Sequence, residues 1–358
     1  GKLRVAVIFG GRSNEHDVSL RTCVSVLENI DREAFEPLAL GITRQGCWRL
    51  FDGPCQRILE DSWWQEDCSA PAILSPDRGE KGGLWVFAPE GLRREALDVV
   101  FPACHGLNCE DGVLQGLLTL TGLPFVGCGV TTSGLCMDKE FTHIIAEAQG
   151  IPMARWHCVH AAELDSFDRL ERRLSEKIGY PMFVKPANSG SSVGCSKAGD
   201  RQELSKALAA AFEQDQKAIV EELVTGQEVE CAVIGNLRPE APLVGEVAPT
   251  VGFYDYSAKY LDDTAELYIP AHIPEETAGQ VKDYAKRIFA TLGCRGLSRV
   301  DFFVREGGQV IFNEINTLPG FTSISMYPKL MVASGMSYSG LITRLIELAF
   351  ENRGGIHG

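Results

Sequence analysis

The spacing of apolar and polar residues changes repeatedly along the chain, and each spacing predicts one kind of element. From Pro274 to Leu292 apolar side chains recur at helical spacing, and Gly293 follows as a helix-ending residue. Asp138 is placed to cap another helix. The residues expected to face inward on that helix are Ile144, Ile145 and Ala148. From Ser298 to Gly320 the runs SRVDFFV and QVIFNEIN are separated by a Gly-Gly turn, which predicts a β-hairpin.

The first part of the chain alternates strand, turn and helix through residue 127. The run KLRVAVIFGG predicts a strand ending at a glycine turn, a helical pattern follows, and ALDVVFPACHG predicts another buried strand. This order is typical of an α/β domain, in which ligand contacts lie at the carboxyl ends of parallel strands. Glu15 and His105 stand at such ends, so both are candidate site residues. The alternatives are a first-turn acid stabilised by the helix dipole and a structural histidine.

Two lysines in the middle of the chain occupy positions that an anion would explain. Lys139 follows the predicted N-cap, which is the wrong end of a helix for a lysine unless an anion is near or the side chain is exposed. Lys185 lies in the apolar strand MFVKP and needs an anionic partner or an exit to water. The loop NSGSSVG after it can present backbone N–H groups to phosphate, although no G-K-[ST] follows as in a Walker loop.

A Thr-Gly turn between two apolar strands is bracketed by Glu221 and Glu228. One interpretation is a hinge whose backbone pairs with a flat heterocycle while the two acids bind an exocyclic amine and ribose hydroxyls. The other is a solvated hairpin turn, which the segment favours when it is considered alone.

Four polar side chains are predicted to converge on the hairpin. Arg299 and Asp301 share one face of the first strand, and Glu314 and Asn316 share one face of the second, because strand side chains alternate between faces. Two carboxylates inside apolar runs need a neutralising cation. Oxygen ligands of this kind suit Mg²⁺, with substrate phosphates completing the coordination. The alternative is a surface salt bridge between Arg299 and Asp301.

Composition narrows the class of protein without identifying a site. A length of 358 residues fits two or three domains. The net charge of −14, with no basic cluster, disfavours nucleic acid and anionic membranes as partners. No apolar run approaches the ~20 residues of a membrane span, and the chain starts with a predicted strand instead of a signal peptide. Twelve cysteines without a C-x-x-C pair predict buried free thiols in a reducing cytosol.

Seven motifs occur in order across nearly the whole chain and together closely resemble the D-alanine–D-alanine ligases, members of the ATP-grasp superfamily. The motifs are FGGRSNEHDVSL, HGLNCEDGVLQG, CMDK, FVKPANSGSSVG, FYDYSAKY, SRVDFF and NEINTLPGFTSISMYP. The resemblance implies an α/β (α+β) fold with an N-terminal α/β domain over 1–137, a central ATP-grasp domain over 138–235 and a C-terminal metal-binding domain over 236–358. ATP would lie between the sheets of the last two domains.

The resemblance also implies an activity, the ATP-dependent ligation of two D-alanine molecules through a D-alanyl phosphate, for peptidoglycan synthesis. The alternative is a D-alanine–D-serine ligase of the vancomycin-resistance type. A nucleotide-binding protein with a decayed site would be expected to have substituted metal ligands, and Asp301, Glu314 and Asn316 are all present. The expected partners are ATP and D-alanine, neither nucleic acid nor membrane, and a second copy in a cytoplasmic homodimer.

Roles follow from the resemblance by motif position. Glu15, with His105 nearby, would hold the ammonium of the first D-alanine, and Ser325 with Met326 would receive the carboxylate of the second. The residues placed around ATP are Lys139, Lys185, Ser192, Glu221, Glu228 and the backbone of Glu222 and Val224. The residues placed in catalysis, besides Glu15, are Ser191, Lys259, Tyr260, Arg299 and the backbone N–H of Gly320. The ligands of two Mg²⁺ ions, for which Mn²⁺ can substitute, would be Asp301, Glu314 and Asn316.

The aromatic and acidic stretch from Thr250 to Glu266 is long for a connection and predicts a lid. Depsipeptide ligases lack the lid tyrosine that Tyr260 matches, so its presence implies an amine as second substrate. Met326 stands where several resistance ligases carry a cation, which favours D-alanine over D-serine.

Overall fold

The computed structural model describes residues 1–80, 83–190, 192–248 and 266–351, and their strands form three sheets. The first sheet contains β1 (Leu3–Gly10), β2 (Phe35–Ile42), β3 (Trp48–Phe51), β4 (Ser69–Leu74), β5 (Gly83–Ala88), β6 (Gly91–Ala96) and β7 (Val99–Pro102). Its order is β6-β5-β4-β3-β2-β1-β7. β1 pairs in parallel with β2 and β7, which confirms the predicted α/β start, whereas β2 to β6 pair antiparallel.

Four helices and a short 3₁₀ turn accompany the first sheet. They are α1 (His16–Asn29), α2 (Cys55–Leu59), the 3₁₀ turn Arg78–Glu80, α3 (Val113–Thr121) and α4 (Val130–Met137). Glu15 is the residue at the N-terminal boundary of α1, and His105 follows β7, so both lie at the carboxyl edge of the parallel strands as predicted.

The second sheet is antiparallel, with the order β10-β9-β11-β8. Its elements in chain order are α5 (Lys139–Ala148), β8 (Trp156–His160), the 3₁₀ turn Ala161–Ser166, α6 (Phe167–Lys177), β9 (Met182–Pro186), β10 (Ser196–Ala198), α7 (Arg201–Phe212) and β11 (Lys217–Glu222). Leu170 and Leu174 of α6, with Leu204 and Leu208 of α7, bury one face of this sheet.

The predicted orientation of α5 is wrong. Asp138 does cap the helix, because its carboxylate accepts the backbone N–H groups of Glu140 and Phe141. The buried side chains are Thr142, His143 and Ala146, while Ile144 and Ala148 are exposed and Ile145 is half-buried. Apolar periodicity failed here because the inward face of α5 carries Thr142 and His143, which line the cavity described below.

The third sheet is also antiparallel, with the order β14-β13-β12-β15-β16. Its elements in chain order are β12 (Gln227–Gly235), β13 (Val244–Val247), β14 (Leu267–Tyr268), α8 (Glu275–Thr291), β15 (Gly296–Val304), β16 (Val310–Asn316), α9 (Met326–Ala333) and α10 (Tyr338–Glu351). The helix predicted before Gly293 and the following hairpin are both confirmed.

The Thr-Gly turn joins two sheets, so its interpretation as a hairpin turn is wrong. β11 belongs to the second sheet and β12 to the third. A Cβ atom on Gly226 would lie 2.3 Å from the carbonyl oxygen of Val304, so only glycine lets this connection pass the end of β15. Residues 223–226 therefore connect the two sheets that form the walls of the cavity described below.

One apolar core joins the first sheet to the end of the chain. Leu20 and Val24 of α1 pack in the same buried cluster as Leu341 and Leu345 of α10. Each fully buried side chain of this size contributes about 1.5–3 kcal/mol relative to exposure. This packing fixes the loops that carry Glu15 and His105 against the domain that carries the hairpin.

Two predictions from composition are also tested by the structure. All twelve cysteines are unpaired, as predicted, and seven of them are buried, whereas four are partly buried and Cys47 is exposed. No helix in the described ranges has both the length and the apolar character that a membrane span needs.

Candidate active site between the second and third sheets

A cavity of about 320 Å³ lies between the second and third sheets, within the ~300–1,000 Å³ range of small-molecule sites. β9 and β11 supply one wall, β12, β15 and β16 supply the other, and α5 with the loop after Ala187 closes one side. Predicted site residues that line it are Lys139, Lys185, Ser192, Glu221, Glu222, Val224, Glu228, Glu314 and Asn316. The structure therefore brings together nearly all of the residues assigned to nucleotide and metal.

Lys185 is buried in one wall and has the anionic partner that its strand position required. Its Nζ lies 3.2 Å from Glu221 Oε2 and donates to Asn313 Oδ1 at 3.1 Å. Burial acts to lower the lysine pKa, but the charges of Glu221 and Glu314 raise it above the ordinary value. Lys185 is therefore a fixed positive charge in the cavity wall.

Glu221 has a second partner that sequence reasoning missed. His143 of α5 places Nε2 2.7 Å from Glu221 Oε1, and its Nδ1 faces the carbonyl oxygen of Lys139. Burial acts to raise the pKa of Glu221, but the Lys185 ammonium and the His143 contact hold it at about 2. The only sequence signal for His143 was a histidine in a stretch expected to be apolar.

Replacing Glu221 by glutamine is expected to lower the free energy of unfolding by about 3 kcal/mol at pH 7, because a buried lysine loses its carboxylate partner. The lowered pKa of the Glu221 carboxyl group contributes its full stabilisation above pH 4.5, and this stabilisation is lost as the pH falls towards 2. The difference in the free energy of unfolding between Glu221→Gln and the parent protein should therefore become smaller as the pH falls over that interval. Urea unfolding at a series of pH values measures this.

The neighbouring carboxylate supplies the control for that experiment. Glu222 is half-buried and pairs with Arg155 at 2.7 Å and with Arg305 at 2.8 Å, and these arginine side chains are 64% and 34% exposed. Exposed pairs of this kind are worth about 0–1 kcal/mol. Glu222→Gln should therefore change stability far less than Glu221→Gln, and equal losses would contradict the buried pair.

The loop NSGSSVG, which was predicted to present backbone N–H groups to phosphate, also lines the cavity. The Lys139 ammonium donates to the carbonyl oxygen of Ser189 at 2.6 Å, so this lysine reaches over the loop from the first turn of α5. Ser192, which also lines the cavity, has a φ of +61° and so adopts the left-handed conformation. Lys139 is therefore bound directly to the loop. A lysine and a loop in contact could bind one anion together, which is what the position of Lys139 in the sequence suggested.

The connection between the two sheets also lines the cavity. The Glu222 side chain is paired with two arginines, and Glu222, Leu223 and Val224 are lining residues. Glu228 lines it from β12. This arrangement suits recognition of a flat ring by the backbone, as the hinge interpretation predicted.

The hairpin places its four polar residues together. Asp301 pairs with Glu314, and Arg299 pairs with Asn316, directly across β15 and β16. The Arg299 guanidinium donates to both Asp301 oxygens, at 2.9 and 2.8 Å, and the Asn316 amide donates to Asp301 at 3.3 Å. The alternative of a surface salt bridge is wrong, because Arg299 and Asp301 are only 4% and 3% exposed.

A third acid completes this buried cluster. Glu230 on β12 pairs with Asp301 on β15 in the sheet register, and its carboxylate lies 3.2 Å from Arg299 Nε. One guanidinium thus lies between two carboxylates that are almost inaccessible to water. The sequence gave no signal for this contact, which depends on the pairing of distant strands.

The donor set of the hairpin fits Mg²⁺ that binds together with a nucleotide. Among the described residues, no group of three or more histidine, cysteine, aspartate or glutamate side chains is arranged to hold a metal by itself. Magnesium is commonly held by one or two carboxylates plus substrate phosphates. Asp301, Glu314 and Asn316 supply two carboxylates and an amide oxygen, so the phosphates would supply the remaining ligands.

Glu15 lies against the loop after Ala187, and its carboxylate also lies close to Gly106, the residue after His105. A Cβ atom built on Gly190 would lie 3.1 Å from Glu15 Oε2, so the Glu15 carboxylate touches the backbone of that loop. His105 is buried, and burial lowers its pKa, which favours the neutral ring. Its Nδ1 donates to the carbonyl oxygen of Leu318 at 2.8 Å.

The residues predicted for the second amino acid lie at the start of α9. Ser325 precedes the helix and its Oγ accepts the N–H of Thr322, while Gly320 packs against the same hydroxyl. The Met326 side chain points into the core against Gly245. A contact from Met326 to a ligand would therefore come from its backbone N–H at the helix N-terminus.

Three predicted site residues lie outside the described part of the chain. They are Ser191, Lys259 and Tyr260, and the predicted lid 250–266 is described only at Glu266. Their roles stay predictions.

Comparison with known proteins covers nearly the whole chain. Family models described as the N-terminus and the C-terminus of D-ala D-ala ligase match residues 4–128 and 145–347. A protein named D-alanine–D-alanine ligase from Caldicellulosiruptor bescii is 47% identical over 352 residues, covering 98% of this chain and 96% of that one.

Two solved structures share the fold over similar lengths. The VanG D-Ala:D-Ser ligase from Enterococcus faecalis matches with a TM-score of 0.88 and 38% identity, covering 98% of this chain and 100% of that one. The D-alanine-D-alanine ligase from Coxiella burnetii matches with a TM-score of 0.87 and 35% identity, covering 98% and 94%.

Proposed function

The chain belongs to the D-alanine–D-alanine ligase family, with its ATP-grasp fold, and from that premise we propose that it joins two D-alanine molecules at the expense of ATP. The observation that carries the proposal is the cavity itself, which is lined by two lysines, Lys139 and Lys185, and by Glu314 of the hairpin. The product, D-alanyl-D-alanine, is the dipeptide used in peptidoglycan synthesis.

The charges of the cavity suit the chemistry. A carboxylate is a poor electrophile, so it must first be activated, here as an acyl phosphate. Bringing the γ-phosphate to a carboxylate costs about 4 kcal/mol for each pair of unit charges at ~4 Å and an effective dielectric of ~20. Lys139 beside the loop and Lys185 in the wall offset this repulsion. Both ammonium groups are held by protein contacts before the nucleotide arrives, which reduces the reorganisation needed.

Asp301, Glu314 and Asn316 are proposed to hold two Mg²⁺ ions, with Glu314 shared between them, and Mn²⁺ is proposed as a substitute. Bound metal supplies charge neutralisation to the phosphate oxygens. Burial acts to lower the pKa of Lys185, and the charges of Glu221 and Glu314 raise it above the ordinary value. Lys185 would therefore stay positively charged and hold these two acids in place beside the nucleotide.

The two amino acids are proposed to bind on either side of the phosphate loop. Glu15 would hold the first ammonium. Ser325 and the N-terminus of α9 would hold the second carboxylate, where helix N–H groups favour an anion. Arg299 and the backbone N–H of Gly320 would stabilise the oxyanion that forms when the second amine attacks. Attack by the amine nitrogen forms the C–N bond and the oxyanion. Collapse of this intermediate then breaks the C–O bond to phosphate, which leaves as inorganic phosphate, and the nitrogen loses a proton.

Further parts of the proposal rest on the family alone. They are closure of the lid by Lys259 and Tyr260, participation of Ser191, a homodimer and a cytoplasmic location. The domain limits 1–137, 138–235 and 236–358 are proposed with one change. Because β12 pairs within the third sheet, a limit between residues 222 and 227 fits the strands better than one at 235.

D-Alanine is expected to be the preferred second substrate over D-lactate and D-serine. The match of Tyr260 to the tyrosine that depsipeptide ligases lack favours D-alanine over D-lactate. Met326, at the position where several resistance ligases carry a cation, favours D-alanine over D-serine. ADP release and chromatography of products from mixtures of D-alanine with each competitor at neutral pH measure the preference. Formation of D-alanyl-D-lactate at least as efficiently as the dipeptide would contradict the specificity, as would predominant D-alanyl-D-serine.

A further inference from the structure

His143 lines the cavity but has no role in the reaction proposed above. It is 3% exposed, and its Nε2 lies 2.7 Å from Glu221 Oε1. Because an ionised carboxylate can only accept hydrogen bonds, Nε2 donates this one. The pair therefore joins α5 to β11 close to the connection 223–226, whose backbone suits a flat ring.

The imidazole ring is itself held in place. Its Nδ1 lies 2.5 Å from the carbonyl oxygen of Lys139, one helical turn earlier. The ring makes an edge contact with Trp156, at 5.2 Å between ring centroids, and lies 6.4 Å from the Phe312 ring. Trp156 also stands opposite Glu221 in the register of β8 and β11. These contacts restrict the ring, so that Nε2 presents a fixed donor to Glu221.

The Glu221 carboxylate is held through both of its oxygens. Oε1 accepts from His143, and Oε2 lies 3.2 Å from the Lys185 ammonium. A carboxylate has about four acceptor sites, so two such contacts leave acceptor sites facing a ligand and no donor. Burial acts to raise the pKa of Glu221, but the Lys185 charge and the His143 hydrogen bond hold it at about 2. At neutral pH, a ligand group that meets Glu221 must therefore donate a hydrogen.

We propose that His143 is a positioning residue that makes the cavity select a 6-amino purine over a 6-oxo purine, by holding Glu221 as a fixed acceptor. This rests on the nucleotide-binding part of the proposed function, with the base against the connection that Leu223 and Val224 contribute to the cavity. The exocyclic amine of adenine donates to such an acceptor, whereas the 6-oxo group of hypoxanthine is itself an acceptor. Without the His143 donor, the carboxylate is free to turn away from a 6-oxo group towards Lys185.

His143→Leu tests the proposal with ADP and IDP, whose bases differ by the exchange of the 6-amino group for a 6-oxo group. Calorimetric titration with each nucleotide and Mg²⁺ gives the ratio of the two Kd values. The wild-type protein should bind ADP at least about 10²-fold more tightly than IDP, because a site built to accept from an N–H group rejects a ligand that lacks it. His143→Leu should lower this ratio by about tenfold, the scale of one hydrogen bond to a charged group.

Steady-state rates add a readout that a purely structural role would not give. In His143→Leu the KM for ATP should rise by about tenfold, while kcat at saturating ATP stays close to the wild-type value. The reason is that Lys139 and Lys185 keep their contacts with Ser189, Glu221 and Asn313. A fall in kcat with no change in KM would contradict a role at the base.

Thr142→Val is the matched control. Thr142 is the neighbouring buried residue of α5 and lines the same cavity. Its Oγ1 donates to the carbonyl oxygens of Leu135 at 2.8 Å and Asp138 at 2.9 Å, so its hydrogen bonds do not involve Glu221. The control should keep the wild-type ratio of ADP to IDP affinity even if its stability falls. An unchanged ratio in His143→Leu, or an equal fall in Thr142→Val, would overturn the proposal.

A second variant covers the case in which His143→Leu does not fold. His143→Phe keeps an aromatic ring against Trp156 and Phe312 but has no donor, so it should show the same fall in the ratio. The titrations do not depend on ligase chemistry, so the two proposals fail differently. A wild-type protein that prefers ADP to IDP but forms no D-alanyl-D-alanine would refute the proposed function alone. One that forms the dipeptide equally well with ATP and ITP would refute the role of His143 alone.

Discussion

Replacing Glu314 by glutamine is expected to lower kcat by about 10³-fold while the protein stays folded. Charge stabilisation by metal is worth several kcal/mol, and each 1.36 kcal/mol corresponds to about tenfold in rate. Glu314 lies directly across from Asp301 on the hairpin, so the substitution removes one of the two acids of the proposed metal site. Glutamine has nearly the same shape, so packing around β16 should persist.

Stability should change little because Lys185 has other partners. Its ammonium remains 3.2 Å from Glu221 and donates to Asn313 when the charge at position 314 is lost. Thermal unfolding checks the fold, steady-state ADP release checks turnover, and Mn²⁺ binding in the presence of nucleotide checks the metal. Glu306→Gln, at the exposed turn of the same hairpin, is the control. Unchanged turnover or unchanged Mn²⁺ binding would count against the metal assignment.

The hairpin was predictable because its determinants are local. Alternating side chains put Arg299 with Asp301 and Glu314 with Asn316, and a two-glycine turn sets two strands side by side. The register observed matches this geometry. The burial of the hairpin acids could also be predicted from the sequence. An acid inside an apolar run is expected to lie in the protein interior beside a neutralising partner.

Contacts between distant segments could not be predicted in the same way. His143 lies on a helix whose inward face is polar, so a search for apolar periodicity chose the wrong side of α5. Glu230 reaches Arg299 only because β12 pairs with β15. In each case the partner residue comes from a distant segment and is brought close by packing between elements. The pattern of apolar and polar residues within one segment does not show such contacts.

Arg299→Met is expected to lower the rate by about 10²–10³-fold, the cost of one oxyanion donor. The structure adds a second expected effect. Arg299 lies between Asp301, at 2.8 Å, and Glu230, at 3.2 Å, and all three are at most 4% exposed. Removing one partner of a buried ion pair costs about 3–5 kcal/mol, because the charge left behind is uncompensated. Activity and stability should therefore fall together in the single variant.

A second substitution separates the two effects. Adding Glu230→Gln to Arg299→Met removes one of the two carboxylates that face each other across β12 and β15, so part of the lost stability should return. The rate should stay low, because no cation has been restored where the oxyanion forms. Urea unfolding and dipeptide formation are measured on all four proteins of the cycle. If the double variant regains activity in proportion to its stability, Arg299 acts only through the fold and has no direct part in the reaction.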